Sequence, residues 1–375
     1  MNTTRITNRK EVWKCAEKEN FTLATYNILA DFHIPARSDE QTPENWPVLY
    51  KYCKTEDLYK RKLGKSSKRH LLLMEEIRFL AADVICFQEV DKWYYEEVFK
   101  DELANLGYDT IFAMKKKETL EGLVTAVRKE SFSVEASKTY SLNDLMYEEA
   151  ESLGIDRSKN SLSHLEKDNV GIVTILRHLE TGNKLFVCNF HATYDYEQPD
   201  IPTLQTCLLA KKLGKLRVEM ALQDTSLKHD SPFIYCGDFN TEPTHFGYRI
   251  VVNGQLNRDE TDRLARVYYH ISEKTCKSEE KEREFRSNSA ASIFKDSFKH
   301  ELGLKSSYKE ILGHEPTFTS SDGKHIGALD FIFYSKGIKP CAVLDTPASE
   351  EYLPGGPSKY FSSDHISLSA KFKFC

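Results

Sequence analysis

The chain lacks any apolar run approaching the roughly 20 residues that a membrane helix needs, so nothing in the sequence reads as a membrane span. Its first residues, 1–20, lack the apolar core of a secretion signal and the acid-poor bias of a transit peptide, because Arg5, Arg9 and Lys10 stand among Glu11, Glu17 and Glu19. They are read as an N-terminal lead-in. No internal repeat and no Gly/Pro/Ser-rich linker divides the rest, so residues 21–375 are read as a single domain. Cysteine pattern is missing too: nine cysteines, an odd number with no CxxC pair, argue against a disulfide framework and for a reducing compartment. The expectation is an intracellular protein, cytoplasmic in the first place, with nucleus or mitochondrion left open. A strong excess of positive charge is also absent. A net charge of −5 excludes a protein that holds nucleic acid through a global basic field. Any RNA contact must come from local clusters such as Lys115-Lys116-Lys117, a run that otherwise reads as a solvated face.

What is present fits a globular enzyme-sized chain. With 375 residues, 40% apolar and 29% charged, it can bury a sizeable core. Short apolar runs predict strands over 21–29, 83–90, 123–128, 170–177, 184–191, 233–238, 329–334 and 366–374. Helical spacing over 67–81, 96–106 and 203–222 separates them, with Leu204, Leu208, Leu209, Leu213 and Leu216 forming one core stripe. Near-continuous apolar runs suit a sheet covered on both faces, and alternating strands and helices predict an α/β layered domain. The short turn 180–183 predicts a hairpin, hence a mixed sheet. Two polar stretches, 129–168 and 258–292, read as excursions, either flaps near a substrate entrance or surface loops.

The informative residues stand where the strands end. The apolar runs close on Asn27, Glu89, His191, Asp238 with Asn240, Asp330, and Asp364 with His365. One polar strand end is ordinary; a whole set drawn only from Asp, Glu, Asn and His is not. Ligand crevices of α/β sheets form at strand ends, and these hard donors suit Mg²⁺, with Mn²⁺ as the alternative, better than zinc or copper.

The ordered motifs Tyr26-Asn27, Gln88-Glu89, Asn189-Phe190-His191, Gly237-Asp238-Phe239-Asn240, Leu329-Asp330-Phe331 and Ser363-Asp364-His365 resemble the endonuclease/exonuclease/phosphatase superfamily over nearly the whole chain. That resemblance implies a four-layer α/β/β/α sandwich, two mixed β-sheets packed face to face with helices outside. Asn27-Ile28-Leu29-Ala30, Lys167-Asp168-Asn169-Val170-Gly171 and the extension Thr241-Glu242-Pro243 are similar to the deadenylase branch that includes nocturnin. The run from His191 through Tyr194-Asp195 and Asp200-Ile201 to Gln205 resembles the Angel-type RNA 2′,3′-cyclic phosphatases.

Roles follow from the resemblance and from residue chemistry together. Glu89 is expected to be the main metal ligand, with Asn27 adding an amide oxygen and Asp364 completing a second, weaker position. Asp238 is expected to place the attacking water and Asn240 to hold a phosphate oxygen. His365 is the expected general base or polarising group, oriented by Asp330 as in an acid–imidazole pair. His191 is expected to donate to phosphoryl oxygens as charge develops, and Asn169 to touch phosphate or ribose. Tyr194, Tyr196, Phe318 and Phe361 are the candidates for base stacking. The implied partner is an RNA 3′ end, with no membrane and no protein partner specified. Three activities stay open: removal of a terminal 2′,3′-cyclic phosphate, a 3′-5′ exoribonuclease (poly(A) deadenylase) or a 2′-phosphodiesterase. An RNA-binding or scaffold protein without catalysis is the reading from another class.

Overall fold

The apolar runs become strands because each alternates between two interiors. In the computed structural model, which describes residues 9–13, 20–33, 63, 67–115, 120–155, 162–195, 198–223, 231–272, 288–322, 325–347, 357 and 361–375, strand β2 (Phe21–Asn27) follows a short edge strand β1 (Glu11–Trp13). Within β2, Phe21 and Leu23 turn to one buried cluster while Ala24 and Tyr26 turn to another. Strand β3 (Val84–Asp91) repeats the pattern, with Val84 and Cys86 on the first side and Ile85 and Phe87 on the second. Period-two burial on both faces is what a sheet sandwiched between two layers requires.

The remaining strands are β4 (Tyr108–Met114), β5 (Glu121–Arg128), β6 (Phe132–Ser141), β7 (Val170–His178), β8 (Lys184–His191), β9 (Phe233–Asp238), β10 (Lys305–Ser306), β11 (Ser320–Ser321), β12 (Ile326–Gly327), β13 (Asp330–Tyr334), β14 (Ile338–Leu344) and β15 (Leu368–Phe374). One sheet runs β1-β14-β15-β2-β3-β5-β4 and the other β10-β13-β9-β8-β7-β6, with a two-stranded β11-β12 ribbon beside them. Among the described residues, only β2–β3 and β8–β9 pair in parallel; the other ladders are antiparallel. Both sheets are therefore mixed. Leu185, Val187, Ile234 and Ile332 meet Phe21, Leu23 and Phe372 between them. Helix α1 (Lys68–Leu80) covers the first sheet through Leu73, Met74 and Ile77, and helices α2 (Leu142–Ser152) and α3 (Asp200–Gln223) cover the second. The result is the four-layer sandwich that the motifs implied. Among the described residues, no helix is long and apolar enough to cross a membrane, and Cys86, Cys188, Cys207, Cys236 and Cys375 are free thiols.

Two readings change. The stretch 129–168 is no excursion in its described part: β6 is the outer strand of the second sheet and α2 buries Leu142, Leu145 and Met146 in its core. Seven consecutive β6 residues are exposed, as an edge strand permits, and that polarity made the segment look inserted. In the other stretch, Arg258–Ser272 is helix α5, following helix α4 (Phe246–Asn253); residues 273–287 lie outside the described set. Glu11–Trp13, within the segment read as a lead-in, pairs with β14.

Candidate active site

The C-terminal ends of the two parallel pairs face one another, and this positions the site. In the second sheet Asp238 stands directly across from His191 on β8 and from Asp330 on β13. In the first, Asn27 ends β2 beside Gln88. A register shift in β3 between Phe87 and Val90, with Glu89 at φ +54°, is a bulge that re-aims the glutamate. A left-handed non-glycine residue costs energy that only its surroundings can hold in place. Leu29 at φ +60° and Asn240 at φ +47° do the same on the flanking turns. Beneath the site the sheets are stitched by amides: Gln88 Nε2 donates to Asn189 Oδ1 (2.8 Å), and Asn189 Nδ2 donates to the carbonyls of Phe87 (3.1 Å) and Val124 (3.0 Å).

Glu89, His191, Asp238, Asn240, Asp364 and His365 line one cleft of about 730 Å³. Asn169 and Tyr194 line it as well, and Asn27 and Asp330 lie directly behind. All ten expected residues come together. Asn27 presents its amide nitrogen to the acids, donating to Glu89 Oε1 (2.8 Å) and Asp238 Oδ2 (3.0 Å), while its oxygen accepts from the Leu29 N–H. Asn240 reaches the cleft through a turn rather than by strand alternation. Its N–H donates to Asp238 Oδ1 (2.9 Å) and its Nδ2 to the Ala192 carbonyl (2.9 Å). Asn169 has both amide ends engaged, donating to the His191 carbonyl (3.0 Å) and accepting from the Thr193 hydroxyl (2.5 Å), so here it braces the 191–193 turn.

His365 Nδ1 lies 2.8 Å from Asp330 Oδ2, and its Nε2 lies 3.7 Å from Asp238 Oδ2. Thr319 holds the same Asp330 oxygen at 2.6 Å. Burial alone would lower the His365 pKa, but Asp330 and Asp238 outweigh it and raise it well above the ordinary histidine value. His191, 3.7 Å from Asp238, is pushed well below its ordinary value by burial and Lys115. One histidine is thus held charged and the other neutral. Burial and Asp330 push Asp238 up to about 7, and burial pushes Asp364 up to about 6. Asp330 Oδ1 is buried without a hydrogen-bond partner.

Sequence reading missed His33 and Glu121. His33 Nε2 sits 3.6 Å from both Glu89 and Glu121, and Lys115 is 2.5 Å from Glu121. His33 lies on a 3₁₀ turn with no periodic signal; Glu121 opens β5 two residues ahead of the apolar run 123–128, outside the stretch that marked the strand. Lys115 lines the cleft, whereas Lys116 and Lys117 lie outside the described residues.

The donor set fits a hard divalent cation. One ligand atom each from Glu89, His191 and Asp238 lie within 4.8 Å of one another. Crowded, buried carboxylates that resist ionisation lack positive charge, and a cation supplies it. Ligation needs the ionised carboxylate. With Asp238 and Asp364 titrating near 7 and 6, Mn²⁺ affinity should therefore hold at pH 8 and fall about tenfold per pH unit, for each proton displaced, below pH 7. Titrations of Mn²⁺ from pH 8 to 5.5 check this; a flat affinity would remove both residues from the ligand set.

Comparison with known proteins extends the pattern beyond this cleft. Carbon catabolite repressor protein 4 homolog 1 of Arabidopsis thaliana is 27% identical over 393 aligned residues, covering 94% of this chain and 57% of that protein. The CCR4-Not complex 3′-5′-exoribonuclease subunit Ccr4 of Yarrowia lipolytica is 26% identical over 381 residues, covering 95% and 48%. The chain spans about half the length of these curated relatives. Among solved structures, ANGEL2, a 2′,3′-cyclic phosphatase in complex with adenosine-2′,3′-vanadate, superposes with a TM-score of 0.71 at 22% identity, covering 98% and 99% of the two chains. The human nocturnin catalytic domain with bound sulfate does so with a TM-score of 0.58 at 21% identity, covering 98% of each. These structural likenesses speak to the fold, and all four proteins fall within the branch that the motifs resemble. The profile described as "Endonuclease/Exonuclease/phosphatase family" matches residues 24–365. That span runs from the first central strand to the last histidine of the cleft, and the chain belongs to the endonuclease/exonuclease/phosphatase family.

Proposed function

We propose that the chain is a divalent-cation-dependent phosphoesterase acting on RNA 3′ ends, and that it hydrolyses a terminal 2′,3′-cyclic phosphate. The observation that carries the reading is the charge pattern of the cleft. A charged imidazole at His365 and a neutral one at His191 flank Asp238, which is poised near neutrality, with Glu89 within reach. Such a site suits displacement at phosphorus by water. Asp238 accepts hydrogen bonds from Asn27 and Asn240 and stands where it can orient water and take its proton. His365, fixed by Asp330, presents positive charge and a proton to the departing ribose oxygen. This makes Asp238 a better base than His365 in this arrangement. His191 donates without adding charge. A bound divalent cation supplies Lewis-acid polarisation of the phosphoryl oxygen. Attack opens the cyclic ester to a monoester, and a second hydrolysis releases phosphate and leaves the 2′,3′-diol.

Space for a nucleoside adjoins the cleft. A mainly apolar pocket of about 420 Å³, lined by Pro199, Pro202, Phe246 and Leu264, shares Tyr194, Asn240, His325 and Leu329 with it. Tyr194, 68% exposed, stands at that junction and offers a face for stacking. Phe318 and Phe361 instead pack with Ile366 in a small buried core, and Tyr196 lies outside the described residues. Tyr194→Ala is expected to raise KM for RNA ends about 5- to 150-fold, the equivalent of one lost stack, with kcat changed little. Equal KM values for the two chains would remove Tyr194 from substrate binding.

The likeness to ANGEL2 supports the cyclic-phosphate reading, and the exoribonuclease relatives support a second, stepwise removal of 3′ nucleotides. Four labelled substrates separate them under Mg²⁺: a 2′,3′-cyclic-phosphate-ended RNA, a 3′-hydroxyl poly(A), a 2′–5′ oligoadenylate and an inositol phosphate. Loss of the cyclic end without shortening is the expected result. A ladder of shortened poly(A) would establish the exonuclease instead, and RNA binding without any product would establish a non-catalytic role.

A further inference from the structure

Arg69 lies outside the cleft, yet it is buried against the backs of both loops that deliver the site. It sits at the start of α1, and its fork reaches in three directions. Nη2 donates to the carbonyls of Ile28 (2.9 Å) and Leu29 (2.6 Å), Nε donates to the carbonyl of Ser362 (2.8 Å), and Nη1 meets Asp31 Oδ1 (2.7 Å). The first loop follows Asn27; the second leads into Ser363-Asp364-His365.

With those carbonyls turned to Arg69, the peptide N–H groups of the same turn face the other way. Leu29, at φ +60°, donates its N–H to Asn27 Oδ1 (3.0 Å), and Ala30 donates its N–H to Glu89 Oε2 (3.1 Å). On the second loop Ser363 Oγ donates to the Asn27 carbonyl (2.7 Å), and the His365 N–H donates to Ser363 Oγ (3.1 Å). The N–H groups that meet Asn27 and Glu89 thus share peptide planes with the carbonyls that Arg69 holds, and Ser363, which meets the His365 N–H, directly follows Ser362. A left-handed turn at a leucine is strained, and a planar fork with several fixed donors is suited to hold it. Lysine, with one ammonium on a flexible stem, cannot satisfy three carbonyls in two loops at once.

We propose that Arg69 is a positioning residue that couples the Glu89 cation site to the His365 loop, by fixing the 28–30 turn and the Ser362 carbonyl in one register. It touches neither substrate nor cation. The proposal rests on the reading of Glu89 as a cation ligand. Misplacement of reacting groups by about 1 Å costs on the order of 10²-fold in rate, and this is the effect assigned to Arg69.

The test compares the full chain with Arg69→Lys and Arg69→Met. Mn²⁺ binding followed by electron paramagnetic resonance needs no turnover, while kcat and KM are read on the preferred RNA substrate. The expected result for folded Arg69→Lys is Mn²⁺ affinity at least tenfold weaker and kcat lower by about 10- to 100-fold, with KM within threefold of wild type. Arg69→Met should lose at least as much. Unchanged Mn²⁺ affinity and kcat in folded Arg69→Lys would overturn the proposal. So would an Arg69→Lys chain that fails to fold, since that assigns the residue to the core. Wild type that binds no Mn²⁺ would instead sink the reading of Glu89, and with it this coupling; the wild-type titration therefore tells the two failures apart.

Discussion

His365→Ala and Glu89→Gln are each expected to lower turnover by at least 10²–10³-fold while the chain stays folded. The two losses have different causes and are distinguished by the cation. His365 joins Asp330 at 2.8 Å and faces Asp238 at 3.7 Å, so removing it takes positive charge from the position of the leaving oxygen and leaves two buried acids to be relieved by protonation. Cation binding at Glu89 should survive. His365→Asn keeps a donor toward Asp330 and serves as the milder form if alanine weakens the fold. Glu89→Gln keeps size and hydrogen-bonding capacity but removes a carboxylate charge that His33 and Lys115 help to sustain against burial and Glu121. Turnover should then fall together with Mn²⁺ affinity. Steady-state kinetics, Mn²⁺ titration and circular dichroism on the same preparations decide the matter. Full turnover in either variant would refute the assignment of that residue.

Gly237→Ala is expected to be among the most destabilising single-methyl changes available to this chain, by about 3 kcal/mol or more. Gly237 has φ +137°, and a Cβ there would lie 1.8 Å from the Phe190 carbonyl oxygen. That oxygen belongs to backbone in the adjacent parallel strand, with Phe331 on the other side, so nothing flexible can give way. The strand must separate or the residue must twist. Either movement displaces Asp238, the next residue, and with it the pairings to His191 and Asp330. Denaturant unfolding measures the effect, and a midpoint shift worth less than about 1 kcal/mol would show that the strand pair tolerates the side chain.

The architecture was legible because burial on two faces leaves near-continuous apolar runs, and eight such runs marked strands that the structure contains. Those that went unread are β4 and β6, edge strands with exposed or half-buried residues, the short pieces, and β14, an inner and largely buried strand whose apolar run is interrupted by Lys339 and Pro340. Half-solvated residues carry little apolar signal; β6 shows this most plainly, since its polarity comes from facing solvent. Helix 200–223 was read nearly to its ends, because its apolar residues recur at helical spacing around a core-facing element.

The candidate site divides along the same line. By itself the sequence determined the donor inventory: Asn27, Glu89, His191, Asp238, Asn240, Asp330, Asp364 and His365 are visible because they stand at or beside the ends of apolar runs, the last three where a run begins. Only the tertiary structure decided what those donors do to one another. Register across β8, β9 and β13 sets His191, Asp238 and Asp330 side by side, and burial in that company raises the proton affinity of Asp238 while it lowers that of His191. The bulge at Glu89, the nitrogen-first orientation of Asn27, the additions of His33 and Glu121, and the bracing from Arg69 have no local sequence signal. Each depends on a partner dozens to hundreds of residues away, and distance through space is a property that chain order does not carry.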